Sequence, residues 1–262
     1  MKFSIIVVAL NAGEKLKETV DSVLSQSFGE YEIVVKDGGS KDGSVEALPS
    51  DERICIYVEK DTGIYDAMNQ AVAKAQGEYI LFLNCGDSFY NERVLERAAE
   101  CIDKHQSERP LVVYGDTYGA KNDVMIVAPK KIDGFTCYRN IPCHQACFYE
   151  AKLCREKPYE PKYRIRADYE HFLWCYYKAK ARMVHMGGAV ASYEGGGYSE
   201  SKENRKRDKE EHRLITELYM EPGELAKYRR TMMLTLAPVR SFLAENKLTS
   251  GLYHWVKQVL TK

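Results

Sequence analysis

Apolar positions in this chain fall into short blocks closed by glycine and polar breaks, and each block keeps its own period. Residues 3–10 read FSIIVVAL, nearly continuous in apolar and β-branched side chains, and Asn11 and Gly13 close the block. A run of that length and composition predicts a strand buried on both faces. Leu16, Val20, Val23 and Leu24 follow at helical spacing, so the first unit is strand, tight turn and helix. Residues 31–36 and 54–58 repeat the strand signal. The first of these runs into Asp37, Gly38, Gly39, Ser40, Lys41, Asp42, Gly43 and Ser44, and the second into Glu59, Lys60, Asp61, Thr62 and Gly63. Glycines beside small hydroxyls let backbone N–H groups approach a ligand closely. Ile64, Ala67, Met68, Ala71, Val72 and Ala75 then keep one helical stripe, which Gly77 is expected to stop. Residues 79–83, YILFL, predict a fourth buried strand that breaks off at Asn84, Cys85, Gly86 and Asp87.

Farther along, Val94, Leu95, Ala98, Ala99 and Ile102 predict a helix, and residues 111–114 a strand ending at Gly115 and Asp116. Residues 123–128 read as an edge or hairpin strand. From there to Pro142 no period holds, because Gly134 and Pro142 interrupt it. Cys143, His144, Gln145 and Ala146 lead into a short strand to Tyr149. After a Pro- and Tyr-rich loop at 159–166, a helix starts at Ala167 with Asp168 at its mouth, near the positive end of the helix dipole. Residues 183–193 read as a strand pair interrupted by Gly187 and Gly188. Glu194, Gly195, Gly196, Gly197, Tyr198 and Ser199 have the composition of a loop that closes over a substrate. Residues 200–218 are strongly charged and helical in pattern, with the charge read as a solvated face.

Strands alternating with helices imply an α/β fold whose parallel strands share one rim at their carboxyl ends. Asn11, Asp37, Asp61 and Asp87 each follow one of the first four strands, so all four are expected on that rim. Ligands of open α/β sheets sit in the crevice outside the strand ends, and a carboxylate there can hold a divalent cation against a phosphate. Any one of these residues alone reads equally well as a turn residue. Four at successive strand ends favour a shared site.

Composition narrows the classes. A chain of 262 residues buries one substantial core with room for a smaller appendage. Formal net charge is zero, which argues against strong general affinity for nucleic acid. No export signal is legible, and no segment reaches the roughly 18 apolar residues of a spanning helix, so a cytosolic protein is expected. Eight cysteines include no C-x-x-C pair and are read as reduced thiols. Cys137, Cys143, His144, Cys147 and Cys154 offer soft ligands but lack the spacing of zinc knuckles. Residues 226–262 carry seven basic side chains against one acid, Glu245, interleaved with Met, Leu, Phe, Tyr and Trp. Such a basic amphipathic tail either lies in a membrane interface facing anionic lipid or packs on protein.

On these residues the sequence resembles the family 2 glycosyltransferases, the inverting group with the GT-A nucleotide-sugar fold, and among them bacterial members that build surface polysaccharides. The likeness covers about the first 200 residues and rests on motifs in order: FSIIVVALNAGEKLKETVDSVLSQSF, VVKDGGSKDGS, EKDTGIYDAMNQAVAKAQGEYILFLNCGD, HQACFY, RADYEHFLW and GGGYS. It implies a mixed, mainly parallel sheet flanked by helices, with a helical extension at the carboxyl end. The implied division is a catalytic domain at 1–220, with a nucleotide half 1–116 and an acceptor half 117–220, followed by a tail at 221–262.

Residue by residue, the resemblance implies that Ala9, Asn11, Asp37 and Asp61 line the nucleotide pocket. Asp37 takes the position that accepts the N3–H of uracil, a donor that cytosine lacks. Asn84 joins the donor-binding set, and His144 and Gln145 lie beside the donor phosphates or the acceptor. Asp87 is the implied ligand of a Mn2+ or Mg2+ ion. Only one carboxylate stands in the row Asn84, Cys85, Gly86, Asp87, so that ion would be held mainly by the donor's pyrophosphate. Asp168 matches the catalytic base, with Glu170 as second choice. Asp66 and Asn69 fix the helix against the pocket, and Tyr198 and Ser199 are lid contacts.

The implied reaction moves a sugar, with inversion, from a nucleoside diphosphate donor, UDP in the first instance, to a carbohydrate or lipid-linked acceptor. Polysaccharide or lipid-linked oligosaccharide synthesis, peripheral attachment at the inner face of the membrane and a homodimer belong to the same expectation. Two alternatives stay open. A sugar-phosphate nucleotidyltransferase ordinarily carries a basic glycine-rich loop after the first strand, where this chain has Asn11, Ala12, Gly13 and Glu14. A non-catalytic nucleotide-binding module is the other.

Overall fold

The four apolar runs of the amino-terminal half become neighbouring parallel strands, and this decides where their polar ends go. In the computed structural model β1 (Phe3–Ala9), β2 (Tyr31–Asp37), β3 (Ile54–Val58) and β4 (Tyr79–Phe82) stand in the spatial order β3-β2-β1-β4. Ala9 pairs beside Asp37 and Asp37 beside Val58, so three chain segments leave the sheet side by side. The structure describes residues 1–195 and 204–234; the expected lid contacts Tyr198 and Ser199, and the basic tail from 235 onward, lie outside them.

Helices cover both faces. Phe3, Ile5, Val7, Tyr31, Ile33 and Val35 pack with Leu16, Val20 and Val23 of α1 (Glu14–Leu24). The alternate strand positions face α2 (Ile64–Lys74), which buries Ala67, Met68, Ala71 and Val72 against β1 and β2. Residues buried on both faces explain why β1 and β2 read as continuous apolar runs without alternation.

The sheet continues with β5 (Ser88–Phe89), β6 (Leu111–Gly119), β7 (Val124–Ile126), β8 (Cys147–Glu150) and β9 (Arg182–Tyr193) in the order β4-β8-β6-β9-β5, with β7 hairpinned onto β6. β8 runs antiparallel to both β4 and β6, so β6 points the same way as β4 and ends on the same rim. The remaining helices are α3 (Val94–Lys104), α4 (Gly134–Arg139), α5 (Ala151–Glu156), α6 (Ala167–Tyr177), α7 (Asn204–Tyr219) and α8 (Pro222–Leu234). This is the mixed α/β sheet flanked by helices that the motifs imply. By contacts the chain divides into two compact units, 1–215 and 216–262.

Three local expectations need correction. Residues 183–193 form one strand, not a pair: Gly187 (φ +80°) and Gly188 (φ +68°) bend β9 and shift its register against β6 near Asp116 without ending it. Gly77 does not cap α2, which stops at Lys74 with Ala75 already extended. A Cβ at Gly77 would stand 2.5 Å from Ser4 N and 2.6 Å from Phe3 C, so glycine is required by the close approach to β1. The unpatterned stretch before Pro142 contains α4, whose start is capped by Asp133 accepting the Thr136 N–H at 2.8 Å.

Candidate active site

The rim loops brace one another before they line anything. Asn11, in the left-handed conformation at φ +49°, accepts the Lys41 N–H through its side chain at 3.0 Å and donates its own N–H to Ser40 Oγ at 2.7 Å. Asp42 accepts the Gly13 N–H at 2.8 Å. The loop after β2 is thereby tied to the turn after β1. Asp37 is 1% exposed, and its carboxylate receives the Gly39 and Ser40 N–H groups at 2.8 and 2.7 Å. It shapes the loop from within, and the open cleft is lined by others.

That cleft has a volume of about 790 Å3 and is lined by Ala9, Asp61, Tyr65, Asp66 and Arg164, among others. Its size lies in the range of roughly 300–1,000 Å3 usual for small-molecule and cofactor sites. Asp61 is held by Lys36, a buried lysine at the end of β2 whose ammonium donates to Asp61 Oδ2 at 3.0 Å, Glu59 O at 2.6 Å and Asp37 O at 3.2 Å. Such a buried charge is tolerated because each proton has an acceptor. Asp66, in the first turn of α2, accepts the Thr62 N–H at 2.8 Å and ties the preceding loop to the helix. Asn69 exchanges two hydrogen bonds with the backbone of Tyr159, at 2.8 and 2.9 Å, fixing α2 to the loop that precedes α6.

Asp87 stands farther along the rim. It is 4% exposed; Gln145 Nε2 donates to Oδ2 at 2.9 Å and the Glu194 N–H to Oδ1 at 3.1 Å. Burial raises its pKa, and these two hydrogen bonds only partly offset the effect. Gln145 is oriented by the Cys143 thiol, which donates to its carbonyl oxygen; burial pushes that thiol's pKa up to about 12, so it stays a donor. Glu194 also pairs with Lys15 of α1 at 2.5 Å, beside Gly86.

A hydrogen-bonded chain links this loop to Asp168. Asn84 Nδ2 lies 3.2 Å from His144 Nε2, and His144 Nδ1 lies 3.2 Å from Asp168 Oδ2. With the amide donating, Nε2 is the acceptor and the proton sits on Nδ1, facing the carboxylate. Tyr65 donates to Asp168 Oδ1 at 2.9 Å and shares that proton with Ile165 O at 2.7 Å. Burial would push the Asp168 pKa up; the hydrogen bonds of His144 and the Tyr65 hydroxyl outweigh it and hold the pKa below the ordinary carboxylate value. Its side chain keeps 21% exposure, so the carboxylate remains reachable. Glu170, two positions on, is 1% exposed and pairs with Lys157 at 3.3 Å. It is not gathered with the other candidates.

The start of α6 is held from outside by α7. Glu211, 6% exposed, accepts the N–H groups of Arg164, Ile165 and Arg166 at 3.0, 3.0 and 2.9 Å. Arg166 forms a two-pronged pair with Asp208, at 2.7 and 2.9 Å. His212 stacks on Tyr169 at 5.3 Å between ring centroids. The charge-rich helix thus turns a working face, where its sequence suggested only a solvated one.

Ala9 and Asp61 therefore meet in the large cleft, Asp87 and Gln145 bond directly, and Asn84, His144 and Asp168 form one chain; Asp37 and Asn11 support the loops. Lys36, Tyr65 and Glu211 escape the sequence reading, although a lysine inside an apolar strand and a tyrosine in the GIYDAMN stretch were visible signals; Glu194 was read only as part of the closing loop.

Comparison with known proteins bears on the family and the fold. Residues 4–147 match the family model described as Glycosyl transferase family 2. A PGL/p-HBAD biosynthesis glycosyltransferase of Mycobacterium bovis is 36% identical over 204 residues, covering 75% of this chain and 78% of the relative. Among solved structures, S. aureus TarS 1–349 superposes with a TM-score of 0.62 at 22% identity over 74% of this chain; the chain spans 60% of that structure's length. A Pyrobaculum calidifontis mannosyltransferase in complex with GDP-Man and Mn2+ superposes with a TM-score of 0.64 at 15% identity, over 97% of this chain and 83% of that one. At such identities the structural likeness is one of fold.

Proposed function

This chain belongs to glycosyl transferase family 2 and is a glycosyltransferase, and from that premise we propose that it moves a sugar from a UDP-sugar to an acceptor hydroxyl with inversion at the anomeric carbon. One observation carries the reading: Asp168, from the second half of the chain, is suspended between Tyr65 of the donor cleft and His144, whose other nitrogen meets the loop of Asp87.

The nucleotide occupies the cleft of about 790 Å3. Asp37, to which the resemblance assigns the uracil N3–H, is inside its own loop, whereas Asp61, expected only to line the nucleotide pocket, lines that cleft with 13% of its side chain exposed. Asp61 is therefore the carboxylate that accepts an imide N–H from uracil. A TarS fragment of the same fold is known in complex with UDP.

Asp87 suits a divalent cation: it is nearly buried, and among the described residues it pairs with no cationic side chain. Among those residues no group of three His, Cys, Asp or Glu side chains gathers to hold a metal, so the diphosphate oxygens would supply most of the coordination. When bound, such an ion neutralises the charge that develops on the leaving diphosphate. Asp168 accepts the proton of the attacking acceptor hydroxyl; His144 and Tyr65 fix its two oxygens and keep it ionised at neutral pH. Gln145 holds Asp87 in place, and Lys15 with Glu194 closes over its far side.

The acceptor is a carbohydrate or lipid-linked saccharide, and the tail at 226–262 is the contact with an anionic membrane surface. Among the described residues no helix is long and apolar enough to cross a membrane. Thermal shift of the full chain with UDP or GDP, with and without Mn2+, tests the donor. Selective stabilisation by UDP with Mn2+ is expected. Preference for GDP would overturn the donor assignment, and no shift with any nucleotide would overturn the site.

A further inference from the structure

Asp168 faces a second cavity. It has a volume of about 200 Å3, and Asn140, Pro142, Arg166, Asp168 and Asp208 lie on its wall together with His144. Tyr65 lines the large cleft and Asp168 lines the small one, so the hydrogen bond between them joins the walls of the two. We propose that this second cavity is the acceptor subsite, and that it takes a single uncharged sugar ring whose remaining chain extends outward. The proposal rests on the glycosyl transfer inferred above and names the acceptor class for the same base.

Size limits the occupant first. The cavity is smaller than the roughly 300 Å3 at the low end of drug-sized sites, so it admits one ring and not a disaccharide. Charge limits it next. Among the described residues the one guanidinium on the wall, Arg166, is already engaged by both oxygens of Asp208. A phosphate or carboxylate entering the cavity would find no free Lys or Arg side chain among those residues and would face the Asp168 carboxylate. A ring bearing hydroxyls meets the opposite situation. Its O–H groups can donate to Asp168 and Asp208, and its oxygens can accept from the Asn140 amide, while Ile141 and Pro142 offer an apolar wall to its C–H face.

Asp208 is the specificity-determining residue in this arrangement. It belongs to α7, one turn before the Glu211 that anchors residues 164–166, so the helix both builds the subsite wall and fixes the base beside it. Its pair with Arg166 is only partly buried, at 28% and 30% exposure, which leaves acceptor capacity facing the cavity.

Saturation-transfer NMR on the full chain tests this without turnover, using the methyl pyranosides of glucose, mannose, galactose and rhamnose, glucose 6-phosphate, and UDP. At least one methyl glycoside should bind, UDP should not displace it, and glucose 6-phosphate should bind at least tenfold more weakly. Asp208→Asn should weaken the glycoside about tenfold, the loss expected for a hydrogen bond to a charged group, and should leave UDP affinity within twofold. Asn140→Ala, at an exposed position that takes no part in the Arg166–Asp208 pair, gives a second reading if Asp208→Asn unfolds. Failure of all four glycosides to bind, displacement by UDP, or unchanged affinity in folded forms of both variants would overturn the assignment. UDP binding without glycoside binding defeats the acceptor subsite alone; absence of both defeats the donor reading beneath it.

Discussion

His144 Nδ1 stands 3.2 Å from Asp168 Oδ2, so an imidazole covers one oxygen of the proposed base. The contact lowers the Asp168 pKa against the opposing effect of burial. Removing the ring in His144→Ala leaves the burial in place and takes away the compensation, so the pKa rises. The base must be ionised: activity is present above its pKa and lost as pH falls through it. The acid limb of the kcat/KM profile should therefore move to higher pH in the variant, and an unmoved limb would show that His144 does not act on the base.

Asp168→Asn keeps the shape and removes proton acceptance. Transfer should fall by about 10²–10⁴, while the Kd for UDP, measured by calorimetry, stays within twofold. Parallel loss of nucleotide binding would mark Asp168 as a structural cap of α6.

Glu211 satisfies three successive backbone N–H groups ahead of α6 from a nearly buried position. Glu211→Ala leaves those donors unpaired and should lower unfolding stability by about 3 kcal/mol. Urea unfolding measures the loss. Hydrogen exchange adds a local signature: the amides of 164–166 should lose protection in Glu211→Ala before the core strands do.

His171 gives a stability test away from the chemistry. Its Nδ1–H donates to Lys157 O at 2.8 Å, the Cys175 thiol lies 3.4 Å from Nε2, and burial pulls its pKa down to about 4. Because the folded pKa lies below the unfolded value of about 6.5, the unfolded chain binds the extra proton first. Stability is intact above pH 6.5 and declines as pH falls toward 4, by up to about 3 kcal/mol from this residue. Midpoints of denaturation between pH 7 and 4 should flatten in His171→Gln relative to the unaltered chain.

Asp87→Asn removes the charge offered to a divalent ion. The extra stabilisation that Mn2+ adds to the UDP complex should disappear, with the metal-free UDP shift retained. Persistence of the Mn2+ effect would assign the cation to other groups.

The sequence by itself determined the four parallel strands, their burial on both faces and the rim where Asp61 and Asp87 emerge, because strand length, period and glycine breaks are local properties. It also determined the family, since the motifs run in order. It did not decide which acids face the cleft: Asp37 and Asp61 look alike as text, and only packing turns one into its own loop and leaves the other open. Nor did it reveal the working face of α7, whose Asp208, Glu211 and His212 are scattered among other charges and acquire meaning when the helix docks at the start of α6. The chain from Asn84 through His144 to Asp168 joins residues far apart in sequence, and hydrogen bonds of that kind exist only once the sheet has brought its rim loops together.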